Sequence, residues 1–178
     1  MNKTLLGITC IGICVSGCAD KEPTSEDTTQ NESPFAEVGP MEGMTATHNE
    51  IRRAHGVTVD LVWDEALAEI SLEWINHLDV DNNCQMEHNW DSGLGENLMW
   101  ATYYMDAREV VEWWASEEAF YDYNSNTCEE GEMCAHYTQV VWEDTTNVGC
   151  AMITCQNGEY MWMCNYDPAG NWMGERPY

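Results

Sequence analysis

The sequence predicts an α+β domain in which helices come first along the chain and antiparallel strands come last. Three segments between residues 45 and 115 carry apolar side chains at helical spacing. Three later runs of β-branched and aromatic residues have the composition of strands. The Asn157-Gly158 pair between the last two runs is a hairpin signal, so these strands are expected to be antiparallel.

The first two helices are predicted from their ends and their spacing. Residues 45–55 form the first, with Thr45 or Thr47 as N-cap and Gly56 as the stop. Asp64 can cap the second helix through its carboxylate. The residues that repeat at helical spacing there, and so turn one face toward a core, are Leu67, Ile70, Ser71, Trp74 and Leu78.

The third helix is predicted to begin at Asp106. The side chain of Asp106 can cap the helix while Glu109, three residues later, reaches back as a capping box. The apolar stripe of this helix consists of Val110, Val111 and Trp114. Residues 137–142, 148–154 and 160–166 follow as the predicted strands, the last two joined by a two-residue turn.

The first 43 residues are predicted to be targeting and tether rather than fold. Residues 1–17 contain Lys3 and an apolar run too short to span a bilayer, as in a secretory signal. Small residues precede Cys18, as at a lipoprotein processing site, so we expect Cys18 to carry a lipid; ordinary cleavage nearby is the alternative. Residues 18–43 read as a flexible acidic linker, and residues 44–178 as the folded domain.

The nine cysteines fit an exported, disulfide-bonded protein. Cys10 and Cys14 leave with the signal and Cys18 takes the lipid, so an even set remains. These six are Cys84, Cys128, Cys134, Cys150, Cys155 and Cys164. Counting alone allows fifteen pairings. A zinc cluster is the competing use, but no pair among the six has the two-residue gap of a zinc knuckle.

The charge excludes nucleic acid as a partner. The chain has 32 acidic and six basic residues, a formal net charge of −26. No basic surface is available to displace counterions from phosphates. Two interpretations remain, namely solvation of an acidic surface, which is favoured, and recognition of a cationic partner.

Two C-terminal segments resemble signatures of the CAP superfamily, which groups cysteine-rich secretory proteins, insect venom antigens and plant pathogenesis-related proteins. These segments are residues 136–142 (HYTQVVW) and 164–172 (CNYDPAGNW). Further matches occur in the family's order at Cys84 and at residues 95–98, 114–117 and 148–151, so the resemblance covers about the last 135 residues. It implies a three-layer α-β-α sandwich around a mainly antiparallel twisted sheet.

The resemblance also implies a disulfide pattern. The plant members' pattern pairs Cys84 with Cys155, Cys128 with Cys134, and Cys150 with Cys164. The predicted hairpin agrees with it, because a two-residue turn brings Cys150 within one residue of being opposite Cys164 and leaves Cys155 facing Tyr160.

Four residues match the tetrad that lines the central cleft of CAP domains, namely His88, Glu96, Glu117 and His136. Glu117 lies seven positions after Val110, on the predicted buried stripe. Glu118 has the same relation to Val111, and the family's Trp-x-x-Glu spacing selects Glu117. His136 is expected to open the strand of residues 137–142. The gap between His88 and Glu96 is longer than in plant members.

The other three histidines, His48, His55 and His77, match no functional position of the family. They are expected to be surface or packing residues of helices.

Two imidazoles and two carboxylates in a cleft suit a divalent cation such as zinc, completed by water, or general acid–base chemistry. We expect an extracytoplasmic, envelope-anchored domain that is not an enzyme. Its expected partners are the membrane, through Cys18, and a lipid, peptide or protein ligand in the cleft. The alternatives are a hydrolase that uses the same residues on peptide bonds, and a structural or adhesion component. Neither a Gly-x-Ser-x-Gly elbow nor a His-Glu-x-x-His helix is present.

Overall fold

A computed structural model describes residues 33–178, so the predicted signal, Cys18 and the first part of the linker lie outside the described residues. The helices are α1 (Met44–Ala54), α2 (Glu65–Asp81), α3 (Ala107–Ala115) and α4 (Ala135–Val140). The strands are β1 (Val62–Trp63), β2 (Gly95–Ala101), β3 (Tyr121–Asp122), β4 (Thr127–Cys128), β5 (Asn147–Thr154) and β6 (Tyr160–Asp167). Short 3₁₀ helices cover Gly39–Met41 and Ser116–Phe120.

The main sheet has the strand order β1-β5-β6-β2. The β5–β6 and β6–β2 pairs are antiparallel, and β1 lies parallel to β5. β3 and β4 form a separate two-stranded hairpin. The predicted α+β class is therefore confirmed, with a mixed sheet that is mainly antiparallel.

Helices cover both faces of this sheet. On one face Ile75 and Leu78 of α2 pack against Met161 and Met163 of β6. On the other face α1, α3 and α4 enclose a larger core that includes Trp162 of β6. Alternate residues of β6 thus enter opposite cores, as the twofold repeat of a strand requires, and the three-layer arrangement follows.

Two of the three helix caps predicted from the sequence are present. The predicted cap at Thr45 or Thr47 is wrong, because α1 begins at Met44 after Gly43 and has no side-chain cap; the hydroxyl of Thr47 donates to the carbonyl of Gly43 instead. The carboxylate of Asp64 accepts hydrogen bonds from the backbone N–H groups of Ala66 and Leu67 at the start of α2. Asp106 and Glu109 form a reciprocal capping box at the start of α3. Local signals suffice here because each partner lies within three residues of the other.

The strand predicted over residues 137–142 is wrong, because residues 135–140 form helix α4. Tyr137, Val140 and Val141 point into the core, three and four residues apart. The buried guanidinium of Arg52 donates to the carbonyls of Val140 and Trp142 at the end of this helix. Tertiary contacts therefore override the strand propensity of the β-branched run.

The β5–β6 hairpin has a longer turn than the sequence predicts. Cys155 and Glu159 close a three-residue loop, in which Gly158 has a φ of +88°. Gly158 takes this left-handed conformation without a Cβ penalty. The extra loop residue shifts the register by one, so Cys150 lies directly opposite Cys164.

Three disulfide bonds link Cys84 to Cys155, Cys128 to Cys134, and Cys150 to Cys164. These are the pairs that the resemblance implies. Such bonds form and persist in an oxidising compartment, which places the domain outside the cytoplasm.

Residues 33–43, which their composition assigns to the linker, pack against the domain instead. The indole N–H of Trp63 donates to the carbonyl of Phe35, and the side chain of Met41 is buried. The packed structure thus begins before the predicted boundary at residue 44. A few apolar residues within this acidic segment pack onto the folded domain. Within residues 33–178, the helices lack the combination of length and apolar composition that crossing a bilayer requires.

Candidate ligand-binding cleft

A cavity of about 370 Å³ lies between the N-terminal end of β2, the start of α4 and the loop after β6. His88, Glu96 and His136 line it. Glu117, the fourth residue of the predicted tetrad, lies behind His136 and is buried. The tetrad is therefore brought together as two histidine–glutamate pairs at one cavity.

Glu117 and His136 form the inner pair. Nδ1 of His136 lies 2.6 Å from Oε1 of Glu117, and the backbone N–H of His136 donates to Oε2 at 2.9 Å. Glu117 lies in the 3₁₀ helix that follows α3, not on α3 itself, and it stays on the buried side. The ring of His136 also stacks against Trp114, with 6.3 Å between ring centroids.

His88 and Glu96 form the outer pair. Nδ1 of His88 lies 2.5 Å from Oε1 of Glu96, and the backbone N–H of Asn89 donates to Oε2 at 3.3 Å. The hydrogen bond to the Glu96 carboxylate raises the pKa of His88 above its usual value, against the opposing effect of partial burial. The long loop between these residues thus brings His88 to the cleft.

β2 was not predicted as a strand, although it holds Glu96 in place. β2 pairs with β6 along its whole length, from Gly95 opposite Tyr166 to Ala101 opposite Tyr160. The strand is apolar on both faces after Asn97, and such runs show no alternation by which a sequence could reveal them.

A buried hydrogen-bond chain supports the cleft from behind. The amide of Asn97 donates to the carbonyl of His136 at 3.1 Å and lies 3.3 Å from the hydroxyl of Tyr166. That hydroxyl lies 2.8 Å from Nε2 of His48, whose Nδ1 lies 2.8 Å from the carbonyl of Met44. Burial lowers the pKa of His48 to about 4, so its ring is neutral at pH 7 and can accept from Tyr166.

Gln139 forms part of the cleft wall and was also missed by sequence reasoning. Its Oε1 accepts a hydrogen bond from the backbone N–H of Gly170 at 3.1 Å, which ties the loop after β6 to α4. A Cβ at Gly95 would lie 2.4 Å from the same oxygen. The absence of a side chain at Gly95 therefore lets β2 approach Gln139.

The histidine ring atoms define what the cleft can bind. Within the described residues, Nε2 of His88 and Nε2 of His136 have no hydrogen-bond partner, while each Nδ1 is paired with a carboxylate. In the neutral form this arrangement leaves each Nε2 with a lone pair available for a metal ion. In residues 33–178 no three of the four tetrad side chains bring ligand atoms within 4.8 Å of one another.

In the described part of the chain, a compact group of residues whose types can bind a metal lies elsewhere, at Asp79, Cys84 and Cys155. Its two sulfurs are joined in a disulfide, so they are not thiolates that could bind a metal.

The remaining histidines lie on helices or directly after one, and none of them lines the cleft. His48 is fully buried in α1, and His55 follows the end of α1 with its ring 5.4 Å from that of Tyr137. His77 is exposed on α2 and pairs with Asp81, with 2.8 Å between nitrogen and oxygen.

Comparisons with known proteins agree with this architecture. The sequence profile of CAP, the cysteine-rich secretory protein family, matches residues 45–166. Pathogenesis-related protein 1A of Nicotiana tabacum is 43% identical over 132 residues, which cover 74% of this chain and 76% of that protein. The fold resembles that of NaASP2 solved with Zn²⁺, with a TM-score of 0.62 at 22% identity, over 91% of this chain and 90% of that one.

A second solved structure, manganese-bound Ac-ASP-7, has a TM-score of 0.54 at 18% identity and covers 82% of this chain and 78% of that one. The profile match over most of the folded residues, together with the identity to a plant relative, establishes the family. The chain belongs to the CAP family of cysteine-rich secretory proteins.

Proposed function

We propose that this chain is an extracytoplasmic ligand-binding domain, tethered to the cell envelope by a lipid on Cys18, whose cleft holds a divalent cation between His88 and His136. The main support is that both histidines line one cavity while a glutamate engages each Nδ1. Each ring is therefore fixed in orientation, and its other nitrogen is left for a ligand.

Zinc is the cation that this set of donors favours. Imidazole nitrogen is a preferred zinc ligand, and a carboxylate on the opposite ring nitrogen increases the basicity of that ligand. Glu96 and Glu117 thus act as partners of the ligands rather than as ligands. Since Nε2 of His88 and Nε2 of His136 are the donors that this pairing leaves free, water or the bound molecule would fill the other coordination positions, and the cation would supply attraction for an oxygen of that molecule.

The comparisons support a divalent cation for this fold. NaASP2 was solved with Zn²⁺ and Ac-ASP-7 with manganese. Both structures share the fold with this chain at low sequence identity.

A binding role is favoured over hydrolysis. Among the described cavity-lining residues, Glu96 is the one carboxylate, and His88 already engages it. The remaining candidates for a general base are the free Nε2 atoms of His88 and His136, and a cation held between them would engage both. The lining also contains neither serine nor cysteine as a nucleophile.

Isothermal calorimetry with zinc chloride on the full, disulfide-bonded chain tests this proposal. We expect one site that is weakened at least about 10-fold in His88→Ala and in His136→Ala. His77→Ala is the matched control, because His77 also pairs with a carboxylate through Nδ1 but lies on exposed α2. Equal zinc affinity in all four proteins would assign the metal to the acidic surface and reject the cleft site.

A further inference from the structure

A second cavity, of about 450 Å³, lies beside the cleft. Met133, Ala135 and Asn171 border both cavities and form a ridge between them. Neither tetrad histidine lines the second cavity. This second cavity is the side groove.

The ridge is held rigidly from within. The amide oxygen of Asn171 accepts from the hydroxyl of Thr138 at 2.6 Å, and its NH₂ donates to the carbonyl of Ala135 at 2.9 Å. The Cys128–Cys134 disulfide fixes the segment that contains Met133. The polar atoms of the Asn171 side chain thus already have hydrogen-bond partners within the protein. The ridge therefore holds its shape before a ligand binds.

The far wall of the side groove is fixed in the same way. Oδ1 of Asn126 accepts from the hydroxyl of Tyr121 at 2.6 Å, and Nδ2 of Asn126 donates to the carbonyl of Glu175 at 2.8 Å. The indole N–H of Trp172 donates to the carbonyl of Ala169 at 3.0 Å, yet 60% of Trp172 is exposed. Its ring is therefore a positioned apolar surface that faces solvent.

The groups that remain free in the side groove are of two kinds. The carboxylates of Glu132 and Glu175 are exposed, and within the described residues neither is hydrogen-bonded or ion-paired. The apolar groups are the ring of Trp172 and the side chain of Met133, which is 58% exposed. Two unpaired negative charges thus flank an apolar surface.

Within residues 33–178, neither lysine nor arginine lines either cavity. Arg176 follows Glu175, but its guanidinium donates to the carbonyls of Tyr123 and Asn124. Arg52 is buried, and Arg53 and Arg108 are paired with carboxylates elsewhere. Nothing in the described chain therefore neutralises the carboxylates of the side groove.

We propose that the side groove binds a peptide segment of a partner protein in which Lys or Arg alternates with apolar residues. The basic side chains would pair with Glu132 and Glu175 or lie over the ring of Trp172, where the π face attracts a cation. The apolar side chains would cover Met133 and Trp172. A simple polyamine offers the charge but only a narrow methylene chain to cover these apolar surfaces, so a peptide with larger apolar side chains fits better.

The side groove itself needs no bound cation, so it is independent of the proposed zinc site.

Fluorescence anisotropy with labelled short peptides and the full, disulfide-bonded chain tests this proposal in the presence of a metal chelator. The probe alternates Lys and Leu; the comparison probes alternate Glu with Leu and Lys with Gly, and spermine serves as a competitor. We expect saturable binding of the Lys-Leu peptide alone, with spermine competing weakly. Tight binding of the Lys-Gly peptide or of spermine would show that charge alone is recognised and would overturn the proposal, as would no binding of the Lys-Leu peptide.

Matched variants locate the site. Glu132→Gln with Glu175→Gln should weaken binding at least about fivefold, since exposed ion pairs contribute roughly 0.5 kcal/mol each. Glu129→Gln with Glu130→Gln removes the same charge outside the side groove and should change binding less than about twofold at about 0.15 M salt. Equal losses in the two double variants would mean a general electrostatic effect and reject the site.

Two further measurements separate this site from the cleft. Trp172→Ala should weaken peptide binding about fivefold, whereas unchanged binding would remove the apolar contact from the proposal. His136→Ala should leave peptide binding unchanged. If zinc addition or His136→Ala changed peptide affinity strongly, the peptide would belong to the cleft and the separate groove would be rejected.

Discussion

The carboxylate of Glu117 accepts hydrogen bonds from both the ring and the backbone of His136. Its Oε2 also accepts from the backbone N–H of Tyr137 at 3.3 Å. The backbone N–H groups of His136 and Tyr137 belong to the first turn of α4, where no intrahelical acceptor exists and where negative charge is favoured. Since Cys134 provides no side-chain cap, Glu117 caps α4 from another part of the chain while it orients the ring of His136.

Glu117→Gln should therefore destabilise the protein as well as alter the cleft. A glutamine has one acceptor oxygen, so its NH₂ group would face one of the N–H donors that the carboxylate now satisfies. We expect a loss of about 1–3 kcal/mol in the free energy of unfolding, measured by urea denaturation.

Glu118→Gln is the control for this prediction. Glu118 is exposed and lies 3.5 Å from Nε2 of His55. A surface substitution of this kind should change stability by less than about 0.5 kcal/mol. Similar losses in the two variants would show that Glu117 does not act as a cap.

The buried ring of His48 should make the free energy of unfolding depend on pH. Its pKa of about 4 in the folded state lies below the value of 6.5 for an unperturbed histidine, so the unfolded chain takes up a proton first as the pH falls. The contribution of neutral His48 to the free energy of unfolding is therefore fully present above pH 6.5. It falls by about 3 kcal/mol as the pH falls from 6.5 to about 4.

Denaturant titrations at several pH values check this prediction against His48→Gln, which removes the titrating group. The parent should lose about 3 kcal/mol more than the variant over that interval. His77→Gln, which removes an exposed histidine, should follow the parent. A parent and His48→Gln variant with parallel pH profiles would contradict a buried neutral His48.

Gly149→Ala should disrupt the contact between α2 and the sheet. A Cβ at Gly149 would lie 2.3 Å from the backbone nitrogen of Ala68 and 2.3 Å from the carbonyl of Asp64. Because backbone atoms cannot move aside as a side-chain end can, we expect a loss of about 3 kcal/mol or more in thermal or urea unfolding. Thr154→Ala, at an exposed position of the same strand, should cost far less. Comparable stability in the two variants would show that α2 adjusts freely.

The anchor prediction concerns Cys18, outside the described residues. Cys18→Ala should move the protein from the membrane fraction to the soluble fraction, because the acyl chains that hold it there can no longer attach. Fractionation followed by immunoblotting checks this, with Cys14→Ala as a control inside the predicted signal. A Cys18→Ala protein that stays with the membranes would show that another feature anchors it.

Local signals predicted the parts of the fold whose determinants lie close together in the chain. The caps at Asp64 and Asp106 and the β5–β6 hairpin are of this kind, and they are present. The four tetrad residues were predicted from the motif spacing of the family and not from the residues around each of them. Sequence reasoning missed β2 and assigned α4 to a strand, and these two elements carry Glu96 and His136.

By itself, the sequence determined the family, the helix boundaries near caps, the even cysteine set and the acidic charge, because each depends on residue identity or on neighbours within a few positions. The tertiary structure alone decided that residues 135–140 are helical. A helix of this length is not stable in isolation. It forms because Glu117 satisfies its first N–H groups, that of His136 from 19 positions away, and Arg52 satisfies the carbonyl of its last residue, Val140, from 88 positions away. The same contacts aim His136 into the cleft, so the candidate site exists only once the chain has folded.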